Sequence, residues 1–269
     1  MIAVTETNRR RAEGVIVLAV SYLLLQVFWV VSSDAEPAFA SATIEATAKI
    51  LLWGAGCFPI ALWLSRRADT TVAEAFGLGP GVWRGVGFGF VSTLPMLAAL
   101  FLTSPKAFDL DLAWGSGVVG PFAEELLFRG FLFGLLWRVA GWSVGWSILA
   151  SSVLFGVAHE TNVIPLAGGG AVLAWTAYRW GSLWPAIALH GCMNLWWDLA
   201  NGEHARPALG PDLMSAAQLL SVTLAILISL RFGTSAASGT RRSSGERNGL
   251  SPANDLQLKI VDKLQAPRT

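Results

Sequence analysis

Charged side chains are scarce in this sequence, and their scarcity excludes an ordinary water-soluble domain. Asp, Glu, Lys and Arg make up 14% of the 269 residues, whereas soluble domains carry roughly 25%. Hydrophobic residues make up 54%, and the mean hydropathy is +0.54. Because the apolar residues gather in runs near the ~20 residues that a helix needs to cross a bilayer, the composition predicts a lipid-embedded helical chain.

Cysteine is scarcer still, which excludes a secreted domain held together by disulfides. Cys57 and Cys192 both lie within apolar runs and offer no disulfide framework. The formal net charge of +1 gives no reason to expect nucleic acid as a partner.

Hydropathy predicts an all-α fold, a polytopic membrane helical bundle with about eight transmembrane helices. The predicted spans cover residues 14–33, 46–64, 85–102, 119–138, 142–159, 163–179, 183–199 and 213–230. Pro59 and Pro95 fall inside spans, so we expect them to kink their helices. From Phe232 onward the composition turns to Ser, Gly, Arg and Asn. This change predicts a membrane-embedded domain over 1–231 and a flexible cytoplasmic tail over 232–269.

Basic residues predict the orientation, because cytoplasmic loops carry an excess of Lys and Arg. One set of span ends contains Arg9, Arg10, Arg11, Arg66, Arg67, Arg84, Arg138, Arg179 and Arg231. The opposite loops contain mainly Lys106 and Arg206, together with the acids Asp34, Glu36, Asp109 and Asp111. We therefore predict a multi-pass protein of the inner (plasma) membrane with both termini in the cytoplasm.

The fourth predicted span contains three charged residues: Glu124, Glu125 and Arg129. Each charge near the centre of a membrane helix costs ~2.5–3.5 kcal/mol, so each needs a partner. Glu125 and Arg129 are four residues apart and share a helix face, which predicts an ion pair. Glu124 is rotated about 100° from Glu125 and is left to face a wet cavity. The alternative is that all three charges only hold the bundle together.

Two of the three histidines also lie in predicted spans. His159 follows Phe155 by four residues, and His190 precedes Asn194 by four, so His190 and Asn194 share a face. In the predicted orientation, Glu124 begins a span that enters from outside, while His159 and Asn194 end spans that run outward. All three motifs are therefore expected at one depth, in the extracytoplasmic half.

Together these motifs resemble the CPBP intramembrane proteases, the family of type II CAAX prenyl endopeptidases and bacteriocin-processing enzymes. Its EExxxR, FxxxH and HxxxN/D motifs appear in order within residues 85–230, the expected catalytic core. The resemblance implies an endopeptidase that hydrolyses a peptide bond of a membrane-anchored substrate. It implies that Glu124, helped by His159, activates water and that His190 and Asn194 stabilise the oxyanion. Glu125, Arg129 and Phe155 would be supporting residues.

The sequence leaves open whether a metal takes part. If zinc is bound, Glu124, His159 and His190 could be its three ligands. However, no HExxH motif is present, and a bound zinc would occupy the groups needed as base and oxyanion donor. We therefore assign no metal. A cysteine protease is also disfavoured, because Cys192 lies about 200° around the helix from His190.

Several functions remain in competition. The endopeptidase could remove C-terminal sorting signals from exported proteins, or it could process CAAX-like substrates on the cytoplasmic side. A transporter that titrates Glu124 and Glu125, or a non-catalytic relative, would use the same polar residues differently.

Overall fold

The computed structural model of the chain describes residues 2–34, 41–67, 69–102, 110–159, 162–201 and 211–233. Every regular element in these ranges is a helix, which confirms the predicted all-α class. The elements are α1 (Ile2–Asp34), α2 (Ala42–Arg67), α3 (Val72–Phe76), α4 (Val82–Ser92), α5 (Leu94–Leu102), α6 (Leu110–Trp114), the π-helix π1 (Gly115–Val119), α7 (Gly120–Glu125), the π-helix π2 (Leu126–Phe133), α8 (Gly134–Arg138), α9 (Val144–Val157), α10 (Val163–Trp180), α11 (Trp184–Asn201) and α12 (Pro211–Phe232).

Some predictions fall outside these ranges. Apart from Phe232 and Gly233, the predicted tail over 232–269 lies outside the described residues, as do Lys106, Arg206, Glu36 and Asp109.

Each predicted span overlaps a helix or a group of helices, but the count of eight is not confirmed. Within the described ranges, three segments are long and apolar enough to cross a membrane: Asn8–Phe28, Thr43–Arg67 and Leu213–Phe232. A fourth is obtained if α4 and α5 are counted as one bent span. The helices between Gly115 and Asn201 do not meet both the length and the hydropathy required; α9, for example, has only 14 residues.

The kink expected at Pro95 is present, since α4 and α5 meet at an angle of 47°. Pro95 is the second residue of α5, where its ring would clash with the carbonyl group four residues earlier in a continuous helix. Thr93, at the break, donates from its hydroxyl to the Gly89 carbonyl and accepts a hydrogen bond from Trp196 Nε1, both at 2.9 Å. In contrast, α2 continues through Pro59 as a single helix.

Glycines allow α11 to pack closely between two neighbours. A Cβ atom at Gly89 of α4 would lie 2.5 Å from the backbone carbonyl carbon of Ala188. On another side of α11, Gly191 directly faces the carbonyl oxygen of Gly117 in π1. Small residues permit this approach of helix backbones in a membrane. The backbone of α11 is therefore held firmly on both sides of His190.

Contacts bring the predicted cytoplasmic arginines to one end of the bundle, which we call the basic end. Arg138 donates to the carbonyl of Ala75 at 2.9 Å, and Arg179 donates to that of Gly233 at 3.1 Å. Arg67 lies 4.0 Å from Glu13 of α1. Trp137 of α8 also packs on Tyr178 of α10, with ring centres 5.0 Å apart, so the start of α1 and the ends of α2, α8, α10 and α12 lie together, as the charge pattern predicts.

Adding one methyl group at Gly89 should separate α4 from α11. We expect Gly89→Ala to lower the thermal midpoint of the detergent-solubilised protein, because the new Cβ atom would overlap the Ala188 backbone. Gly87→Ala is the matched control, since it lies in the same helix and a Cβ atom there meets nothing within 4 Å. Both changes gain the same helix propensity, up to about 1 kcal/mol. Equal midpoints for the two variants would contradict the close packing.

Candidate active site

A buried ion pair lies at the junction of α7 and π2. Arg129 Nη1 lies 2.8 Å from Glu125 Oε1, and both side chains are 0% exposed. The ion pair predicted from their spacing is therefore present. Arg129 also donates to the carbonyl oxygen of Gly170 in α10 at 3.2 Å, and its guanidinium lies 4.2 Å from the centre of the Phe155 ring. The arginine thus links π2 to α9 and α10.

His190 joins this pair from α11. Its Nδ1 lies 2.9 Å from Glu125 Oε1. Because a carboxylate only accepts hydrogen bonds, Nδ1 carries the hydrogen, and Nε2 of the neutral ring is an acceptor. Glu125 therefore binds both Arg129 and His190, and it fixes the orientation of the imidazole.

Glu124 and His159 meet His190 from the other side. Glu124 Oε2 lies 3.8 Å from Nε2 of His159 and 3.8 Å from Nε2 of His190. His159 Nδ1 lies 2.7 Å from the carbonyl oxygen of Phe155, so its Nε2 is also an acceptor in the neutral ring. The structure therefore brings together one carboxylate and two imidazoles, from α7, α11 and the end of α9, with three acceptor atoms directed at one region.

Phe155 packs among these groups. It is 3% exposed, and its ring centre lies 4.5 Å from that of His159 and 5.8 Å from that of His190. The first residue of the FxxxH motif is thus a buried support for both imidazoles and for the guanidinium of Arg129.

Asn194 lies one turn beyond His190 and contacts a different group. Its Nδ2 donates to the carbonyl oxygen of Ser116 in π1 at 3.3 Å. The Ser116 hydroxyl is hydrogen-bonded to Asp198, a further turn along α11. Ser116 and Asp198 were not singled out from the sequence, although Asp198 continues the four-residue spacing of His190 and Asn194.

Lys49 of α2 was also missed, and it corrects the expectation that Glu124 has no charged partner. Its Nζ lies 3.4 Å from Glu124 Oε1 and 2.9 Å from Glu45 Oε1. A signal was present in the sequence, because Lys49 is the only lysine in any predicted span and Glu45 precedes it by four residues. The link to Glu124 was hidden, since 75 residues separate the two.

Glu124 does face a cavity, as its position on the helix predicts. The cavity has a volume of about 510 Å³ and is lined by α1, α2, α7, π2 and the end of α9. Its polar lining residues are Gln26, Glu45, Lys49, Glu124 and His159, and its apolar lining includes Phe28 and Leu154. A largely apolar cleft of this size with a few polar groups is typical of a ligand site.

The residues do not fit a zinc site in the arrangement observed. No group of three or more His, Cys, Asp or Glu residues that could hold a metal ion occurs in the part of the chain that the structure describes. The separations of 3.8 Å from Glu124 to each histidine exceed the about 3.4 Å expected between ligands of a tetrahedral zinc with bonds near 2.1 Å. The metalloprotease-like interpretation is therefore not supported.

Comparison with known proteins agrees with the motifs. Residues 107–196 match the family model of the Type II CAAX prenyl endopeptidase Rce1-like proteins. This region contains Glu124, Glu125, Arg129, Phe155, His159, His190 and Asn194, and it excludes α1 and α2. No curated protein and no solved structure matches the chain. This region carries the three motifs in order, and it is similar to the CPBP/CAAX protease family.

Proposed function

We propose that this chain is an intramembrane endopeptidase in which Glu124 is the general base for hydrolysis of a peptide bond. The observation that supports this most directly is the approach of the His159 and His190 Nε2 atoms to Glu124 Oε2, at 3.8 Å each. Distances of this length are too great for direct hydrogen bonds but suit a bridging water. A water molecule that donates its hydrogens to such acceptors becomes more nucleophilic.

The proposed reaction follows from these positions. Glu124 Oε2 takes a proton from water while His159 Nε2 orients it. The water oxygen forms a bond to the carbonyl carbon of the substrate. The carbon–nitrogen bond then breaks, and Glu124 returns the proton to the leaving amine. General base catalysis of this kind contributes about 10²–10⁴-fold to a rate.

His190 and Asn194 are proposed to stabilise the oxyanion. Glu125 holds the His190 ring through Nδ1, so that Nε2 faces the region where the negative charge would develop. Asn194 Nδ2 carries two hydrogens, and its bond to Ser116 uses one of them. The second hydrogen is available to the substrate oxygen. Glu125, Arg129 and Phe155 support this arrangement.

We further propose that the site opens to the extracytoplasmic side and that the substrate is an exported protein with a C-terminal membrane anchor. Lys49 contacts Glu124 and lies 17 residues along α2 from Arg66 of the basic end, which is about 25 Å of helix axis. If the arginines mark the cytoplasmic side, the site lies near the opposite surface, and both termini are cytoplasmic.

CAAX-like processing is the second candidate, because residues 107–196 match a CAAX prenyl endopeptidase model. It requires the bundle to be inserted in the opposite orientation, with the site facing the cytoplasm. The two candidates share the catalytic residues and differ in the side of the membrane and in the substrate.

Removing the base or its imidazole partner should abolish cleavage. We expect Glu124→Gln and His159→Ala each to reduce turnover by about 10²-fold or more in purified protein reconstituted in vesicles. Two reporters should be used. One is a farnesylated peptide ending in a CAAX sequence, and the other is a peptide covering the anchor junction of a membrane protein that accumulates with an extended C-terminus in a strain lacking this chain.

The matched controls for these variants are Glu74→Gln and His204→Ala. Glu74 forms a capping box with Thr71 in the connection after α2, a role that Gln can also fill. His204 is the remaining histidine of the sequence and lies outside the described residues. Full cleavage by purified Glu124→Gln and His159→Ala protein would refute the proposed mechanism.

Cysteine labelling should reveal which side of the membrane the site faces. In a Cys57→Ala, Cys192→Ala background, we expect an impermeant maleimide to label the Ala205→Cys variant in sealed right-side-out membrane vesicles. The Ala73→Cys variant, whose position is exposed on α3 near the basic end, should be labelled only after permeabilisation. The reverse pattern would reject extracytoplasmic processing and support the CAAX-like alternative.

A further inference from the structure

Lys49 is a charged residue in an apolar helix segment, and its partners explain why it can be there. It lies in Thr43–Arg67, a segment long and apolar enough to cross a membrane, and its side chain is 18% exposed. An ionisable side chain within such a segment is expensive and normally faces a partner or a cavity. Lys49 does both, since it contacts two carboxylates and lines the cavity.

The contact with Lys49 distinguishes the two oxygens of the Glu124 carboxylate. Oε1 lies 3.4 Å from Lys49 Nζ, while Oε2 is the oxygen that faces both imidazoles. A carboxylate bound at only one oxygen is prevented from rotating freely about its terminal torsion, which is otherwise broad. The free oxygen is thereby directed at the region where the proposed water must be activated.

Lys49 is itself held in place by the first two helices. Glu45 accepts a hydrogen bond from its Nζ at 2.9 Å, and the ammonium group lies 5.3 Å from the centre of the Phe28 ring in α1. Contact with an opposite charge and with an aromatic face restricts a side chain that would otherwise sample many rotamers. Contacts within α1 and α2 therefore hold the Lys49 ammonium group in a defined position beside Glu124.

We propose that Lys49 is a positioning residue of the active site, which orients the Glu124 carboxylate so that Oε2 acts on water. This inference rests on the proposed role of Glu124 as the base. It adds to the site a residue from α2, outside the region 107–196 that matches the family model.

The charges favour positioning over capture of an anionic substrate group. Glu45 and Glu124 carry two negative charges against the single positive charge of Lys49. A substrate carboxylate approaching Lys49 would therefore meet net negative charge, which disfavours binding. Lys49 is better suited to hold a carboxylate that is already part of the protein.

Lys49→Met tests the proposal, because methionine keeps an unbranched chain but lacks the charge. We expect kcat to fall by about tenfold to a hundredfold, the effect of misplacing a reacting group, with KM little changed. Lys49→Arg keeps a cation able to bind one oxygen and should restore most of kcat. Cleavage should be measured with the two peptide reporters described above, on the full chain in vesicles.

Arg67→Met is the matched control. It removes a cation of α2 from Glu13 of α1, whose side chain is 7% exposed and which lies at the basic end. This variant should retain the kcat of the unaltered chain. An equal loss of kcat in Lys49→Met and Arg67→Met would show that ion pairing of the first two helices only maintains the fold, and would overturn the proposal.

Combining changes shows whether Lys49 acts through Glu124. In a Glu124→Asp background the carboxylate is withdrawn from Lys49, so adding Lys49→Met should cost little more. Groups that act as one unit lose activity non-additively in this way. Fully additive losses, or a raised KM with kcat unchanged, would overturn the positioning role. Full activity of Glu124→Gln would instead refute the base itself, so the two failures are distinguishable.

Discussion

The packing around the proposed active site depends on neutralising the buried carboxylate of Glu125. Glu125 is fully buried, and its Oε1 binds both Arg129 Nη1 and His190 Nδ1. Removing one partner from such a buried pair typically costs about 3–5 kcal/mol, because the other charge is left without compensation. Since Arg129 also binds the Gly170 carbonyl and covers Phe155, one carboxylate fixes the relative positions of π2, α9, α10 and α11. The geometry around Glu124 depends on this network, because His190 and the end of α9 are positioned by it.

The two adjacent glutamates have different surroundings, because a helix turns by about 100° per residue. Glu125 points into the protein and is 0% exposed, whereas the Glu124 side chain is 13% exposed and lines the cavity. Glu125 orients the His190 ring through Nδ1. Glu124 faces Nε2, the other nitrogen of the same ring. The same imidazole thus connects a structural carboxylate to a proposed catalytic one, so changes to Glu125 should not be interpreted as changes to chemistry alone.

The sequence predicted correctly those features that depend on residues close together in the chain. The pairing of Glu125 with Arg129 and the kink at Pro95 follow from spacing and backbone chemistry within a single helix. The contacts of Lys49 with Glu124 and of Asn194 with Ser116 join residues 75 and 78 positions apart, and no periodicity encodes such distances. The count of eight spans was not confirmed because hydropathy records apolar content but is insensitive to a 47° bend or to a helix of 14 residues.

The residues proposed to catalyse the reaction and some of the residues that line the cavity come from different parts of the chain. Glu124, His159 and His190 all lie in the region that matches the family model, whereas Tyr22, Phe28 and Lys49 on the cavity lining come from α1 and α2, outside it. The match therefore concerns the part of the chain that would break the peptide bond, and it carries little information about what fills the cavity. Because α1 and α2 line about half of the 510 Å³ cavity beside the proposed base, we expect substrate choice to depend on those two helices as well as on the motif region. A family member with the same three motifs and different first helices would then cleave a different class of peptide by the same chemistry.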